Sequence, residues 1–380
     1  MALPLSRAVE LLSELAPLRF AESWDNVGLV LGVAPTGATP PTVERALCTI
    51  DLTDAVLDEA IARRAGLVVA YHPPIFSPLK KLDGTAGGGG PLLRAAAERI
   101  AVYSPHTALD AAPGGVNDWL AAGVGQGATA PLVDAALLDA GAEMKLVTFV
   151  PPEHTDRLRA ALAAAGAGVI GEYSECSTHA PVTGTFLGSA LTNPTVGSAG
   201  KLETVAELRL EMVCPKRALG AVARVMRDIH PYEEPAWDVY PLAPRPAPGF
   251  GMGRSVELTT PITLATLTER LKAHLGRPSL RVAASPAHRA GAPLRRIAVC
   301  AGSGKSVFDR APGFDAYVTG ELSHHAVLAH LAAGASVLLA EHSTTERGYL
   351  PEYAARITTR SAGALEALVS ESDREPLETW

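Results

Sequence analysis

The run Leu67-Val68-Val69-Ala70 is apolar at every position, which is typical of a strand covered on both faces of a parallel sheet. Helical and short apolar strand segments alternate around it: helices at residues 6–15, 53–64 and 92–99, and strands at 46–51 and 100–103. This alternation predicts an α/β sheet with crossover helices. In such sheets, ligand-binding side chains collect at the carboxyl ends of the strands.

The pattern changes between residues 145 and 242. There we predict a strand at 145–150, a helix at 153–165, two strands, a helix at 216–229 and a strand at 236–240. That order is the ferredoxin-like split βαβ unit. A linker rich in proline and glycine, residues 241–253, marks the exit from this unit.

Apolar strand segments then resume the α/β pattern, at residues 254–260, 297–300, 316–319 and 337–339. The predicted fold class is therefore an α/β core interrupted by an inserted ferredoxin-like (βαββαβ) α+β domain. We place the first part of the core at 1–143, the insert at 144–243 and the second part of the core at 244–380.

Length and composition limit the class of protein. A chain of 380 residues, with 47% hydrophobic and 19% charged residues, is expected to fold into two packed domains. A net charge of −7 without a run of Lys or Arg argues against nucleic acid as a partner. The four separated cysteines, the absence of a signal-peptide core and the absence of a run of about 20 apolar residues predict a cytoplasmic protein with no membrane partner.

Four clusters of potential ligands follow predicted strands, and we expect one sheet edge to collect them. They are Tyr71-His72-Pro73-Pro74, the segment 104–110 with His106 and Asp110, the segment 320–325 with His324 and His325, and the segment 341–348 with His342 and Glu346. Imidazole and carboxylate together suit Zn, Mn or Fe. A metal held in this way lowers the pKa of bound water, which favours hydrolysis at neutral pH.

Each of these residues also has a structural interpretation. His72 could end a strand as a hydrogen-bonded imidazole, and Asp110 could bind its own backbone in a turn. Glu346 lies three residues after Ser343, the spacing of a helix capping box, and His342 before it could simply pack. His324 and His325 could sit on a helix, one facing the core and one facing solvent. Only the joint occurrence of the four clusters favours a metal site.

Several segments resemble the Ngg1-interacting-factor-three-like family, whose bacterial members are often labelled GTP cyclohydrolase I type 2 homologues or dinuclear metal-centre hexameric proteins. They are Glu22-Ser23-Trp24-Asp25-Asn26-Val27-Gly28-Leu29, Tyr71-His72-Pro73-Pro74-Ile75-Phe76, Ser104-Pro105-His106-Thr107 with Asp110, Gly114-Gly115-Val116-Asn117, 320–325 and 341–348. The resemblance covers nearly the whole chain. The insert, with Gly184-Thr185-Phe186 and His230-Pro231-Tyr232-Glu233-Glu234-Pro235, resembles the middle domain of the longer members.

This resemblance implies a two-lobed core with mixed sheets, a dinuclear metal centre with one or two divalent metals per chain, and a toroidal homohexamer. The family ligands correspond to His72, Asp110, His342 and Glu346. Tyr71 stands where the family has a histidine, so one metal is expected to bind weakly, through tyrosinate, or not at all. His325 and His106 lie in motifs near the site and are candidates for a catalytic acid or base, or for orienting the ligands.

Two functions follow as hypotheses. The first is a metal-dependent hydrolase resembling GTP cyclohydrolase I type 2, in which metal-activated water attacks a purine nucleotide or a pterin-like small molecule. The second is a non-catalytic metal-binding regulatory or scaffold hexamer with a ligand-sensing insert, and metal storage is a third possibility. The run 230–235 is interpreted as a rigid turn before the last strand of the insert, with ligand binding as its alternative.

Overall fold

The computed structural model describes residues 2–35, 39–82, 84, 89–137 and 141–377. The chain divides into two compact units. Residues 1–135 and 247–380 form the first, and residues 136–246 form the second. The boundaries expected from the sequence, 144 and 243, lie just inside the second unit. No helix in the described ranges combines the length and apolar character needed to cross a bilayer.

The first segment of the chain alternates strands and helices before it enters the second unit. Its elements are β1 (Leu3–Pro4), α1 (Leu5–Leu15), β2 (Gly28–Leu31), β3 (Thr42–Val43), β4 (Arg45–Thr49), α2 (Asp54–Ala62), β5 (Leu67–Ala70), α3 (Gly90–Ala97), β6 (Ala101–Ser104), α4 (His106–Ala111), α5 (Val116–Ala122) and β7 (Gly127–Leu137).

The second unit has the element order strand, helix, strand, strand, helix, strand. Its elements are β8 (Met144–Val150), α6 (Thr155–Ala164), β9 (Thr178–Leu187), β10 (Leu202–Cys214), α7 (Leu219–Asp228) and β11 (Trp237–Pro241). Short 3₁₀ turns, Pro152–His154 and Lys216–Ala218, precede the two helices. The strands form one antiparallel sheet in the order β11-β8-β10-β9. Apolar residues of α6 and α7 cover one face of this sheet, including Leu158, Leu162, Val222 and Met226.

The chain then returns to the first unit. The remaining elements are β12 (Arg245–Ile262), α8 (Leu264–Leu275), β13 (Arg281–Ala283), α9 (Pro286–Arg289), β14 (Leu294–Ser303), α10 (Lys305–Phe308), β15 (Ala316–Glu321), α11 (His324–Ala332), β16 (Ser336–Leu339), α12 (Thr344–Arg347), α13 (Leu350–Arg360) and β17 (Glu366–Val369).

Two separate sheets carry the candidate ligands, so the expectation that one sheet edge would collect all four clusters is wrong. The five-stranded sheet has the order β17-β4-β5-β6-β2, and the six-stranded sheet has the order β13-β16-β15-β14-β12-β7. Strands β17, β4, β5 and β6 are parallel, as are β14, β15 and β16. The core is an α/β fold with mixed sheets, as predicted.

Strand β5 shows why the continuous apolar run was informative. It lies between parallel neighbours, and all four of its residues are buried.

The predicted linker 241–253 is only partly correct, because β12 begins at Arg245 and continues through the proline- and glycine-rich sequence. Arg254 stabilises this strand: its buried guanidinium pairs with Asp118 at 2.6 Å and donates to three backbone carbonyls. Because every one of these partners lies in the first unit, Arg254 fixes the re-entry of the chain.

Candidate metal centre

Loops at the carboxyl ends of parallel strands carry the candidate ligands. His72 follows β5 of the five-stranded sheet, whereas His342 follows β16 of the six-stranded sheet. Glu346 lies four residues after His342 in the short helix α12, a spacing that places both side chains on one face of a helical turn. Chain segments that are far apart in sequence therefore meet at one site.

His72, His342 and Glu346 form a compact cluster. The Nε2 atom of His72 lies 3.4 Å from Glu346 Oε2, and the Nε2 atom of His342 lies 3.4 Å from Glu346 Oε1. Each of the three residues offers one potential ligand atom, and these three atoms lie within 4.8 Å of one another. The three side chains can therefore contact a single cation.

The Nδ1 atom of each imidazole, the nitrogen that does not face Glu346, contacts a second carboxylate. His72 Nδ1 lies 3.0 Å from Asp51 Oδ1, and His342 Nδ1 lies 3.1 Å from Glu321 Oε1. Such carboxylates fix the ring orientation and leave Nε2 as the ligand nitrogen. Burial lowers the pKa of His72, but Asp51 and Glu346 outweigh it and raise the pKa to about 10. The site thus favours positive charge at this position.

The surroundings of Glu346 fit a metal ion. Its side chain is 3% exposed, and within the described ranges its Oε2 atom has no hydrogen-bond partner, because the contact with His72 Nε2 at 3.4 Å lacks hydrogen-bond geometry. Gly302 lies against the cluster with φ of 61°, and a Cβ there would lie 2.6 Å from Glu346 Oε1 and 3.0 Å from His342 Nε2. Two imidazoles and a buried carboxylate are a donor set that suits Zn, Mn or Fe.

Asp110 and Tyr71 form a hydrogen-bonded pair beside this cluster. The Tyr71 hydroxyl donates to Asp110 Oδ1, and both residues are buried. Burial, with the Asp110 and Glu346 carboxylates, raises the pKa of Tyr71 well above its ordinary value, so the phenol stays protonated. Burial also raises the pKa of Asp110 to about 6. The carboxylate of Asp110 lies on α4 and does not bind its own backbone as a turn residue would.

His106 lies at the edge of the same site. Its ring centroid is 5.4 Å from that of His72 and 5.6 Å from that of Tyr71. Its Nδ1 contacts Asp25 Oδ1 at 2.8 Å, and Asp25 also accepts hydrogen bonds from the backbone amide and the hydroxyl of Thr107. Asp25 therefore fixes the orientation of the His106 ring.

His325 is not brought into the cluster. It lies exposed on α11, where its ring contacts that of His324, and it forms no hydrogen bond with the cluster among the residues described here. His324 is exposed as well, so the interpretation that one of this pair faces the core is wrong. A role for His325 in chemistry stays a prediction.

The segment that follows β17 supports the loop that carries His342 and Glu346. Glu375 Oε2 accepts hydrogen bonds from Ser343 Oγ at 2.5 Å and Thr344 Oγ1 at 3.1 Å. The Ser343 side chain therefore makes no capping hydrogen bond with α12, and the capping-box interpretation of Glu346 is wrong.

Asp373 adds a second attachment of this segment. Its carboxylate accepts from the Ile50 amide at 2.8 Å and pairs with Arg347, the residue after Glu346. Since Ile50 precedes Asp51, Asp373 connects the two loops that orient His72 and carry Glu346.

Sequence reasoning missed the carboxylates that orient the histidines: Asp25, Asp51 and Glu321. Asp25 and Glu321 lie within motifs named above, and Asp51 is the last residue of the predicted strand 46–51, two residues after the end of β4. Their position near strand ends was the available signal. The pairing itself was hidden, because the contacts of Asp51 and Asp25 span 21 and 81 residues of sequence.

Comparison with known proteins identifies the family. The sequence model of DUF34/NIF3 (NGG1p interacting factor 3) matches residues 3–376. NIF3-like protein 1 of Rattus norvegicus is 36% identical over 367 residues, 96% of this chain and 90% of that protein. The GTP cyclohydrolase 1 type 2 homolog of Bacillus subtilis is 33% identical over 376 residues, 97% of this chain and 96% of that protein.

The fold gives the same result. The crystal structure of a Bacillus cereus protein related to NIF3 is 30% identical, and the match covers 100% of both chains with a TM-score of 0.64. These similarities confirm the resemblance inferred from the motifs. On the match of sequence and fold over almost its entire length, the chain belongs to the DUF34/NIF3 family.

Proposed function

We propose that this chain binds a divalent cation between His72, His342 and Glu346 and is a metal-dependent hydrolase. The observation that carries the proposal is the geometry of the two imidazole Nε2 atoms, which face a single buried carboxylate at 3.4 Å each. A bound divalent cation would supply Lewis acidity at this point. The name of the bacterial relatives, GTP cyclohydrolase 1 type 2 homolog, supports a purine nucleotide or pterin-like substrate.

Exposed aromatic rings beside the cluster support a planar substrate. Trp24 and Phe76 are 59% and 62% exposed, and their ring centroids lie 5.8 Å apart. Each lies close to His106, at 6.0 Å and 6.1 Å between centroids. Stacking of a base on an aromatic side chain contributes about 1–3 kcal/mol. A flat heterocycle held on Trp24 or Phe76 would lie next to the proposed metal ligands.

His106 is the proposed acid or base. Its Nδ1 is occupied by Asp25, so Nε2 is the nitrogen that can exchange a proton with a substrate. We expect His106→Gln to lower turnover by about 10²-fold or more while leaving the metal content unchanged. A parallel fall in metal content would instead make His106 part of the metal site.

Elemental analysis tests the metal site directly. We expect Glu346→Ala to lose the metal, and Asp110→Ala to lose at least part of it. Glu352→Ala, an exposed glutamate of α13, serves as the matched control. Equal metal content in the wild type and in Glu346→Ala would refute the proposed site.

A turnover assay with GTP and Mn, Zn or Fe tests the reaction. If the fully loaded protein shows no turnover, and Tyr71→His brings none, the hydrolase proposal should be abandoned. The second candidate is then a non-catalytic metal-binding regulatory or scaffold hexamer with a ligand-sensing insert. The hydrogen bond from Tyr71 to Asp110 favours it, because a neutral phenol occupies the place of a ligand. Both candidates include the homohexamer implied by the family, which light scattering can measure.

A further inference from the structure

A cavity of about 520 Å³ lies within the second unit. Its wall includes Phe149, Val182 and Glu207, together with the segments 183–188 and 232–234. Phe149 neighbours Val150, whose side chain packs under the helices, so Phe149 points to the opposite face of the sheet. The cavity therefore lies on the face of the sheet that α6 and α7 leave open, and its volume is typical of a small-molecule site.

Glu207 places a carboxylate in this cavity. It is 9% exposed, and its Oε1 atom accepts a hydrogen bond of 2.7 Å from the Tyr232 hydroxyl. Burial and the Glu207 carboxylate raise the pKa of Tyr232, so this hydroxyl stays a donor. Among the residues that the structure describes, Oε2 of Glu207 has no hydrogen-bond partner. Both Glu207 and Gly184, which lies beside Oε2, line the cavity, so a ligand there can donate a charge-assisted hydrogen bond to this oxygen.

Gly184 makes the room for this carboxylate. It lies opposite Val205 in the antiparallel pair of β9 and β10, whereas Val182 lies opposite Glu207. A Cβ at position 184 would collide with Oε2 of Glu207. The glycine in the Gly184-Thr185-Phe186 motif therefore lets the carboxylate lie across β9 and face the cavity.

The charge of the residues that line the cavity determines which class of ligand it can bind. Glu207, Glu233 and Glu234 line the cavity, and no Lys, Arg or His is among its described lining residues. Phosphate and carboxylate groups would meet only like charge there. A metal ion is also disfavoured, because no group of three metal-ligating atoms within coordination distance of one another occurs at this place in the described ranges. Phe149 and Phe186 supply apolar surface for the body of a ligand.

We propose that the cavity binds a small organic cation, with an amine or amidine group that donates to Glu207 Oε2 and an apolar or aromatic body that packs on Phe149 and Phe186. The site assigns a role to the run 230–235, since Tyr232 holds Glu207 and the Glu233 carboxylate accepts from the Asn193 amide at 3.1 Å. That role differs from the rigid turn expected from the sequence. The proposal does not depend on the metal centre or on hydrolysis.

Calorimetric titration of the full chain with three isosteric probes tests this proposal. Benzamidine carries the amidinium cation, benzamide is its neutral counterpart and benzoate is its anionic counterpart. We expect saturable binding of benzamidine, at least about ten-fold weaker binding of benzamide, and no binding of benzoate, because a charge-assisted hydrogen bond to a buried carboxylate is at stake. Equal affinity for benzamidine and benzamide, binding of benzoate, or no benzamidine binding at millimolar concentration would each overturn the proposal.

Substitutions in the cavity test whether benzamidine binds at this site. Glu207→Gln removes the charge at nearly constant volume, and Gly184→Ala fills the space beside Oε2, so each should weaken benzamidine binding by about ten-fold or more. The control is Glu211→Gln, on the same face of β10 but paired with Lys145 at 2.9 Å, which should bind as the wild type does. Cooperative thermal unfolding checks that each variant is folded. Unchanged affinity in both folded test variants would show that benzamidine binds elsewhere and would refute this site.

Discussion

Glu59 of α2 anchors the segment that follows β17. Its carboxylate accepts hydrogen bonds from Ser370 Oγ at 2.6 Å, the Glu371 amide at 3.0 Å and the Ser372 amide at 2.8 Å. Burial raises the pKa of Glu59, but these hydrogen bonds outweigh it and lower the pKa from 4.5 to about 2. Glu59→Gln keeps the shape of the side chain and removes its charge, so it isolates the contribution of the charge.

The two pKa values set the expected magnitude. At about 1.4 kcal/mol for each pH unit that separates them, ionised Glu59 would contribute about 3.5 kcal/mol to the free energy of unfolding. Screening by nearby solvent reduces the expected loss in Glu59→Gln to about 2 kcal/mol at neutral pH. Because the folded pKa lies below the unfolded one, this contribution is fully present above about pH 4.5 and is lost as the pH falls towards about 2.

Urea unfolding followed by circular dichroism at neutral pH and at about pH 3 measures this difference. We expect the wild type and Glu59→Gln to differ by about 2 kcal/mol at neutral pH and by clearly less at the lower pH. Glu10→Gln is the control. Glu10 is 63% exposed in its pair with Arg7, so this substitution should change the free energy of unfolding by less than about 1 kcal/mol. A difference that stayed constant with pH, or that was no larger than in the control, would refute the reasoning.

Further predictions concern the proposed metal site and the core. Gly302→Ala should weaken metal affinity about ten-fold or more in a chelator competition, because its Cβ would lie 2.6 Å from Glu346 Oε1; unchanged affinity would show that the carboxylate can move aside. Asp51→Asn should weaken metal affinity about 10- to 100-fold in the same assay, since it removes the charge that orients a ligand imidazole. Arg254→Met should lower the free energy of unfolding by about 3 kcal/mol in urea, whereas exposed Arg295→Met should change it by less than about 1 kcal/mol.

Much of the α/β framework could be predicted because burial on both faces of a strand leaves a local signal. Strand β5 occupies the predicted residues, and β15 and β16 begin within one residue of their predicted starts. Strand β7 left no such signal, since all of its residues are partly or fully exposed and show no regular alternation. Its place beside β12, and therefore the division of the core into two sheets, depends on pairing between distant segments.

The candidate site shows the same limit. His72, His342 and Glu346 could be selected because each follows an apolar strand, and the structure brings them together. The partner of Tyr71 could not be predicted, because Asp110 lies 39 residues away and only the tertiary structure decides that the two side chains meet. Local sequence identifies which residues have ligand chemistry, whereas tertiary structure decides which of them share a contact.

The contacts of Asp373 and Glu375 with the loop around Glu346 have a consequence for biosynthesis. The ribosome adds these two acidic residues after every histidine of the cluster, so a nascent chain displays the candidate ligands before the groups that immobilise them have emerged. A cation that bound during translation would therefore contact a loop that is not yet held in place. Firm capture would have to wait until the late segment has docked against Ile50 and Ser343.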